Sequence, residues 1–356
     1  MRYRVLDLTE RHNWGDCIAR LPVEQQDIYF TPQYYHLYER YSDGQARCFV
    51  FESGDEVALY PFLINTINNL GYELERQYVD IQGAYGYNGI ICSSYDHHFI
   101  KTFYEAFEAY CQQENIVAEF TRFHPLIRNQ RFSQGYLEIL KNRDTVYLNL
   151  EQPLETVWEK EYSGNNRNMI RKASRRGVEV KLSDNPADYE IFFKMYTDTM
   201  KNVKADDYYF FSRSYFYDFK DRLAEDQKLI LAVYQDRVVA GMLLMIFGRY
   251  AHYHLSCREK DESSLGANNL LLHAAVKYAR SRGCHYFHFG GGNTTQPTDS
   301  LMKFKTNFSR SREEFFIGQR VHHLTVYEDL CRQWECRFPG LKDKYKNFFL
   351  KYRMQS

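Results

Sequence analysis

The chain has 356 residues, with 46 lysines and arginines balanced by 46 aspartates and glutamates, so no global field draws it onto nucleic acid or a membrane. Hydrophobic residues make up 44% and charged residues 26%, the composition of a globular protein with room for two ordinary domains. Aromatics are high at 17%, with 31 Tyr and 26 Phe; tyrosine combines an apolar body with a hydrogen-bonding tip and suits polar ligand clefts. The eight cysteines, at 17, 48, 92, 111, 257, 284, 331 and 336, form no Cys-x-x-Cys pair, which argues against zinc and for core residues or free thiols in a reducing compartment. The N-terminus carries no apolar stretch of signal-peptide length. The longest apolar run, 238–247, is ten residues, against the ~20 that a membrane span needs. The expectation is a cytoplasmic protein.

In the first half, Phe30-Thr31-Pro32-Gln33-Tyr34-Tyr35 precedes a strand candidate at 48–53, a turn at Gly54-Asp55 and a second strand at 56–64. A glycine-rich loop (GAYGYNG, 83–89), a helix pattern at 98–113 and a strand at 116–123 follow. A further strand, 145–150, is broken by Glu151-Gln152-Pro153, which places a boundary near 145–165. The second half opens on a basic helix pattern, 165–176, and Phe211-Ser212-Arg213-Ser214-Tyr215-Phe216 echoes the segment at 30–35. Strands at 229–234, 238–247 and 250–257, joined by short polar turns, predict an antiparallel meander. A polar loop at 258–265, a helix after Gly266, a strand at 284–289, a helix at 299–308 and a strand at 313–318 complete the unit. The two halves thus share an order of elements with a period near 180 residues, which predicts duplicated domains. The fold class is α/β, in tandem units that each hold a mixed, mostly antiparallel sheet flanked by helices. The units are expected at 1–150 and 151–330, followed by a basic aromatic tail at 331–356.

Several residues have the chemistry of a site. Gly290, Gly291 and Gly292 end the strand FHF; consecutive glycines let a ligand approach the backbone, whose amides can hold an anion or a carbonyl oxygen. Lys305 sits beside an apolar face between Phe304 and Phe308, where a fixed ammonium can stabilise an oxyanion. His288 alternates with Phe287 and Phe289 and therefore faces the other side of its strand, open to a catalytic role. His252 and His254 lie on the third strand of the meander, with no face assigned. Asn268 and Asn269 open the helix after Gly266 and are candidate substrate contacts. Arg167 and Arg171, four residues apart and continued by Arg175, form a row suited to a diphosphate or a nucleic-acid backbone. Tyr85 and Tyr87, in the glycine-rich loop, and Arg122 and His124, after the strand at 116–123, are candidates for binding an acceptor through aromatic faces and a few charged hydrogen bonds. No nucleophilic triad and no metal-ligand set is visible.

The block HFGGG followed by Asp-Ser-Leu-x-x-Phe-Lys-x-x-Phe-Ser resembles the C-terminal signature of the FemAB-like (FemABX) transferases of the GNAT superfamily. LGANNLLLHAA (265–275), NRNMIRKASRRGVEV (166–180), YPF (60–62), GAYGYNG and EFTRFHPL (119–126) are similar to that family as well, so the resemblance spans about 28–330. It implies tandem GNAT-like domains; the placement of Tyr85, Tyr87, Arg122 and His124 separately predicts that the first half binds the acceptor and the second holds the donor and performs the transfer. The resemblance also implies transfer of an aminoacyl or acyl group to an amine of a cell-envelope precursor, a peptidoglycan peptide or a surface-polysaccharide amino sugar. The donor would be aminoacyl-tRNA or acyl-CoA, with no tightly bound cofactor and no DNA partner. The family's Phe-Lys lysine falls on Lys305. Two departures are His288, where many members carry Asp, and the absence of a coiled-coil insertion. GNAT enzymes also place a Gln/Arg-x-x-Gly-x-Gly/Ala loop at a helix N-terminus to hold the CoA pyrophosphate. Here that stretch reads Ser263-Ser264-Leu265-Gly266-Ala267-Asn268, and only its central glycine fits. An acetyl-CoA-dependent N-acetyltransferase and a non-catalytic binding protein are the alternatives. The basic tail offers a peripheral membrane contact.

Overall fold

The computed structural model describes residues 2–41, 43–260 and 263–355; of the expected loop at 258–265, Asp261 and Glu262 lie outside the described residues. In chain order the first elements are β1 (Arg2–Leu6), α1 (Arg11–Ala19), α2 (Pro32–Arg40), β2 (Gln45–Ser53), β3 (Glu56–Thr66), β4 (Val79–Gln82), β5 (Ile91–Cys92), α3 (His97–Gln113), β6 (Ile116–Arg122) and β7 (Glu138–Asn149). A short α4 (Leu154–Thr156) runs on as a π-turn, Val157–Glu161. Then come α5 (Gly164–Arg175), β8 (Glu179–Ser183), α6 (Pro186–Val203), α7 (Arg213–Leu223), β9 (Gln227–Tyr234), β10 (Arg237–Phe247), β11 (Tyr250–Arg258), α8 (Ala267–Ser281), β12 (Tyr286–Gly290), α9 (Ser300–Lys305), β13 (Arg312–Val321), α10 (Leu324–Arg337) and α11 (Lys342–Tyr345). Among the described residues no helix is long and apolar enough to cross a membrane.

The chain falls into two compact units, 1–142 with 315–356, and 143–314. In the first, the strand order is β1-β2-β3-β4-β6-β13, with β5 on β3. In the second, it is β7-β12-β11-β10-β9-β8. Each unit contains a meander, a crossover helix and a strand that returns parallel: β4 with β6 across α3, and β11 with β12 across α8. Only a crossover of that length can bring a strand back parallel, which is why the helix patterns fall where they do. The echo between residues 30–35 and 211–216 is a shared helix start. Thr31 accepts from the Tyr34 amide and Ser212 from the Tyr215 amide, heading α2 and α7.

The core of the second unit lies under α5 and α8 and is built from Ile170, Leu244, Leu272, Phe287, Phe289 and Phe308 among others. An aromatic cluster packs α3 of the first unit onto its sheet through Phe49, Tyr60, Phe103 and Phe107.

The sequence reading drew its divisions at 150 and 330 and set 331–356 apart. The compact units divide at 142/143 and 314/315 instead. The tail is not peripheral to its unit: Trp334 and Tyr352 are fully buried with Val117 and Ile67. Arg353 and the Tyr352 hydroxyl both bind the buried Asp80 carboxylate. The reason is hydrophobic: composition counts the tail's lysines, but its rings carry the burial energy. Seven cysteines are buried free thiols and Cys336 is exposed.

Candidate functional site

The site of the second unit begins where two parallel strands part. β11 and β12 pair only from Tyr250 to His252 against Tyr286 to His288. β12 then continues beside β7, with Gly290 opposite Val146. On the other side of β11 the register slips at His254, since Leu243 faces Leu255 but Leu244 faces Tyr253. His254 is therefore the extra residue of a β-bulge, a device that often lies next to active sites. Its ring stacks on Phe219 at 5.2 Å and meets the Tyr215 hydroxyl at 3.0 Å, and burial holds its pKa down at about 3.

Lys305 lies at this opening. It is 6% exposed. Its Nζ donates to the Gly291 carbonyl at 2.6 Å and lies 5.7 Å from the centre of the Tyr253 ring. Loss of water drives its pKa down to about 7; Asp299 opposes that fall and Arg143 adds to it.

The glycines are required here by space. Gly290 has φ +77°, which disfavours any residue with a Cβ. A Cβ on Gly291 would lie 2.9 Å from Arg143 Cδ, and one on Gly292 would lie 2.5 Å from Asp299 Oδ1. Asp299 caps α9 by accepting from the Met302 amide at 2.7 Å, and its other oxygen accepts from the Thr294 amide at 2.9 Å. These bonds favour the carboxylate and lower its pKa.

His288 is buried, as are Phe287 and Phe289, but only the phenylalanines belong to the core that Tyr253 packs against. The His288 ring instead meets His252 at 5.6 Å, edge to face. Strand alternation thus separates His288 from Lys305, and the two candidate catalytic residues do not share one face.

The basic row on α5 also divides. Arg167 donates to the carbonyls of Trp158, Glu159 and Tyr162, closing the π-turn. Arg171 is exposed and lies over the Trp158 ring at 5.2 Å. Asn269 donates to Asn166, which in turn donates to the Asn307 carbonyl, so it ties α8 to α5 and to the end of α9. Asn268 is half-buried beside it, at the head of α8. Gly266 heads α8 with φ +77°, and a Cβ there would lie 2.7 Å from the Met169 carbonyl oxygen.

In the first unit the corresponding opening, between β4 and β6, is stapled shut. Asn88 bridges to Phe123; its amide donates to the Arg122 carbonyl and its side chain accepts from the Arg122 amide, both at 2.7 Å. The Arg122 guanidinium binds the carbonyls of Gly83, Ala84 and Gly86. His124 is fully buried, accepts from the Ile127 amide at 3.0 Å and faces Asp27 at 3.6 Å. Both side chains therefore hold the loop that presents Tyr85 and Tyr87. The Tyr85 carbonyl accepts from the Tyr34 hydroxyl, and the Tyr87 ring packs on Tyr29, His124 and Phe315. Both tyrosines are half-buried.

Sequence reasoning missed Arg143 and gave Asp299 no role. Asp299 stands inside the Asp-Ser-Leu motif and could have been found as a helix cap. Arg143 carries no local signal, because its partner Gly292 is 149 residues away.

The meander, the bulge and the parted strands belong to a GNAT-like fold, and residues 161–306 match the family model of the acetyltransferase (GNAT) domain. Over nearly its whole length the chain folds like FemX: the TM-score is 0.71 at 14% identity, covering 92% of this chain and 99% of FemX. A tandem GNAT protein of the clavulanic acid biosynthesis pathway gives 0.52 at 8% identity, covering 90% of this chain and 98% of its own. The C-terminal domain of a lysylphosphatidylglycerol synthetase from Agrobacterium fabrum gives 0.51 at 12% identity, covering 88% and 95%. No curated protein sequence matches the chain. The FemAB-like resemblance of the glycine and Phe-Lys block is thus matched by a FemX-like fold, with a GNAT domain over 161–306.

Proposed function

We propose that this protein transfers an aminoacyl or acyl group from an activated carrier to a primary amine of a cell-envelope precursor. The observation that carries the reading is Lys305, a buried ammonium held by the Gly291 carbonyl where β11 and β12 part. A neutral amine attacks the ester or thioester carbonyl of the donor. The C–N bond forms, the carbonyl oxygen becomes an oxyanion, and the Lys305 ammonium stabilises it. The intermediate then collapses, the carrier leaves as its alcohol or thiol, and the proton of the attacking amine passes to that leaving atom. Binding both substrates at one site supplies proximity, so no covalent enzyme intermediate is needed. The exposed Arg171 is assigned to phosphates of the donor.

A second donor, acyl-CoA, is favoured by the GNAT match over 161–306 and by Gly266 at the head of α8. The test is to incubate the protein with radiolabelled charged tRNA pools and with acyl-CoAs, each with amino-sugar and peptide amine acceptors, and to follow label into amide product. Transfer from tRNA supports the aminoacyl reading, and transfer from CoA alone supports the second. If neither pool transfers label nor binds in a thermal-shift titration, the proposed transfer is wrong.

A further inference from the structure

We propose that Arg143 is a positioning residue for Lys305: through the backbone of the three glycines it fixes where the ammonium sits. The inference deepens the proposed function and rests on it only for the word catalysis; the geometry stands by itself.

Arg143 Nη1 donates to the Gly292 carbonyl at 2.7 Å and reaches the Asn293 carbonyl at 3.4 Å. Its Cδ lies against the Cα of Gly291, close enough that a Cβ there would be 2.9 Å away. Gly291 is the residue whose carbonyl accepts from Lys305 Nζ. One arginine thus clamps the peptide on the far side of the carbonyl that holds the lysine. Asp299 clamps the same segment from the other end through the Thr294 amide and hydroxyl. Lys305 therefore has a cation and an anion as neighbours, each tied to the glycine run, with the Tyr253 ring as the third titratable group facing Nζ, from β11. His252 and His288 lie on the opposite face.

Each part of this arrangement has a physical consequence. A single Nη1 of the planar guanidinium serves both carbonyls while Cδ packs on Gly291, and the freely rotating ammonium of a lysine at 143 would hold them less directionally. Its charge disfavours a second cation nearby and so adds to the fall in the Lys305 pKa that burial begins; Asp299 opposes both. An ammonium poised at that point can both stabilise an oxyanion and exchange its proton.

The test is a titration of Lys305 in full-length protein carrying ¹³Cε-lysine, followed by NMR in wild type, Arg143→Met and Arg143→Lys, with Lys305→Met to assign the resonance. Arg143→Met should move the Lys305 titration upward, because a repelling charge is gone, and should shift its ¹³Cε resonance, because the clamp on the glycine run is gone. Arg143→Lys should keep the titration near its wild-type pH, since the charge is retained, while kcat falls because the bond to the Gly292 carbonyl is weakened. A Lys305 ¹³Cε resonance unchanged in both position and titration in Arg143→Met overturns the proposal, whatever the activity. Should Arg143→Met not fold, Arg143→Gln gives the same reading. If the titration moves but no donor yields transfer, the proposed function fails and the positioning role stands.

Discussion

Replacing Lys305 with methionine separates a buried ammonium from an ordinary surface lysine by thermodynamics alone. The unfolded amine titrates near 10.5 and the folded one near 7. Between these values the unfolded chain binds the proton and the folded protein does not. Wild type therefore gains stability as pH rises from 7 toward 10.5, and below 7 the folded state bears the full cost of a buried charge. Allowing for half-protonation at pH 7, the gain between pH 7 and pH 9 is about 2 kcal/mol. Methionine fills similar space and does not titrate, so it removes this gain; the lost bond to the Gly291 carbonyl adds an offset that pH does not change. Other groups titrate identically in both proteins and cancel in the difference. The assay is urea unfolding of wild type and Lys305→Met at pH 6, 7, 8 and 9. The stability of wild type minus that of the variant should level off at pH 6 and climb steadily above 7. A difference constant from pH 6 to 9 would refute the buried ammonium. On the proposed reaction, the same variant should lower kcat by ~10²–10³, the usual cost of one lost oxyanion donor. The kcat/KM of wild type should fall as pH rises through about 7 on the limb that reports Lys305.

Gly292→Ala places a Cβ 2.5 Å from the cap oxygen of α9; it should destabilise the second unit by about 1–3 kcal/mol and displace Lys305, read as a lower unfolding midpoint together with reduced kcat. Arg171→Ala and Arg167→Ala should differ in kind. The first should weaken binding of a phosphate-bearing donor and flatten its salt dependence with no change in Tm. The second releases three carbonyls of the π-turn and should lower Tm; equal Tm for both variants would remove the distinction. Glu119, fully buried beneath the Tyr60 hydroxyl, has its pKa raised by burial to about 8 from 4.5. Its contribution to stability is present below 4.5 and is lost as pH rises through 8. Glu119→Gln should therefore gain on wild type between pH 5 and pH 8.5 in urea unfolding, and parallel curves would show an ordinary carboxylate.

The sequence by itself determined what depends on neighbours along the chain. Apolar runs and turn residues placed the meander at 229–257, against 227–258 in the structure; the helix patterns at 98–113 and 165–176 lie within one residue of α3 and α5. The FHFGGG and Phe-Lys block was legible because a strand end, three glycines and a helix cap follow one another within twenty residues. The repeat order was legible because caps such as Thr31 and Ser212 are local chemistry. Tertiary structure alone decided the rest. It showed that Arg122 and His124 are spent inside their own loop while Lys305 stands at an opening. It turned Arg167 back onto three carbonyls while leaving Arg171 exposed. It folded the basic tail into the first unit through Trp334 and Tyr352, and it joined Arg143 to Gly292. Each of these is set by packing between segments far apart in sequence. The cost of leaving a buried carbonyl unbonded, or a buried charge unpaired, fixes such partners only once the chain has closed around them.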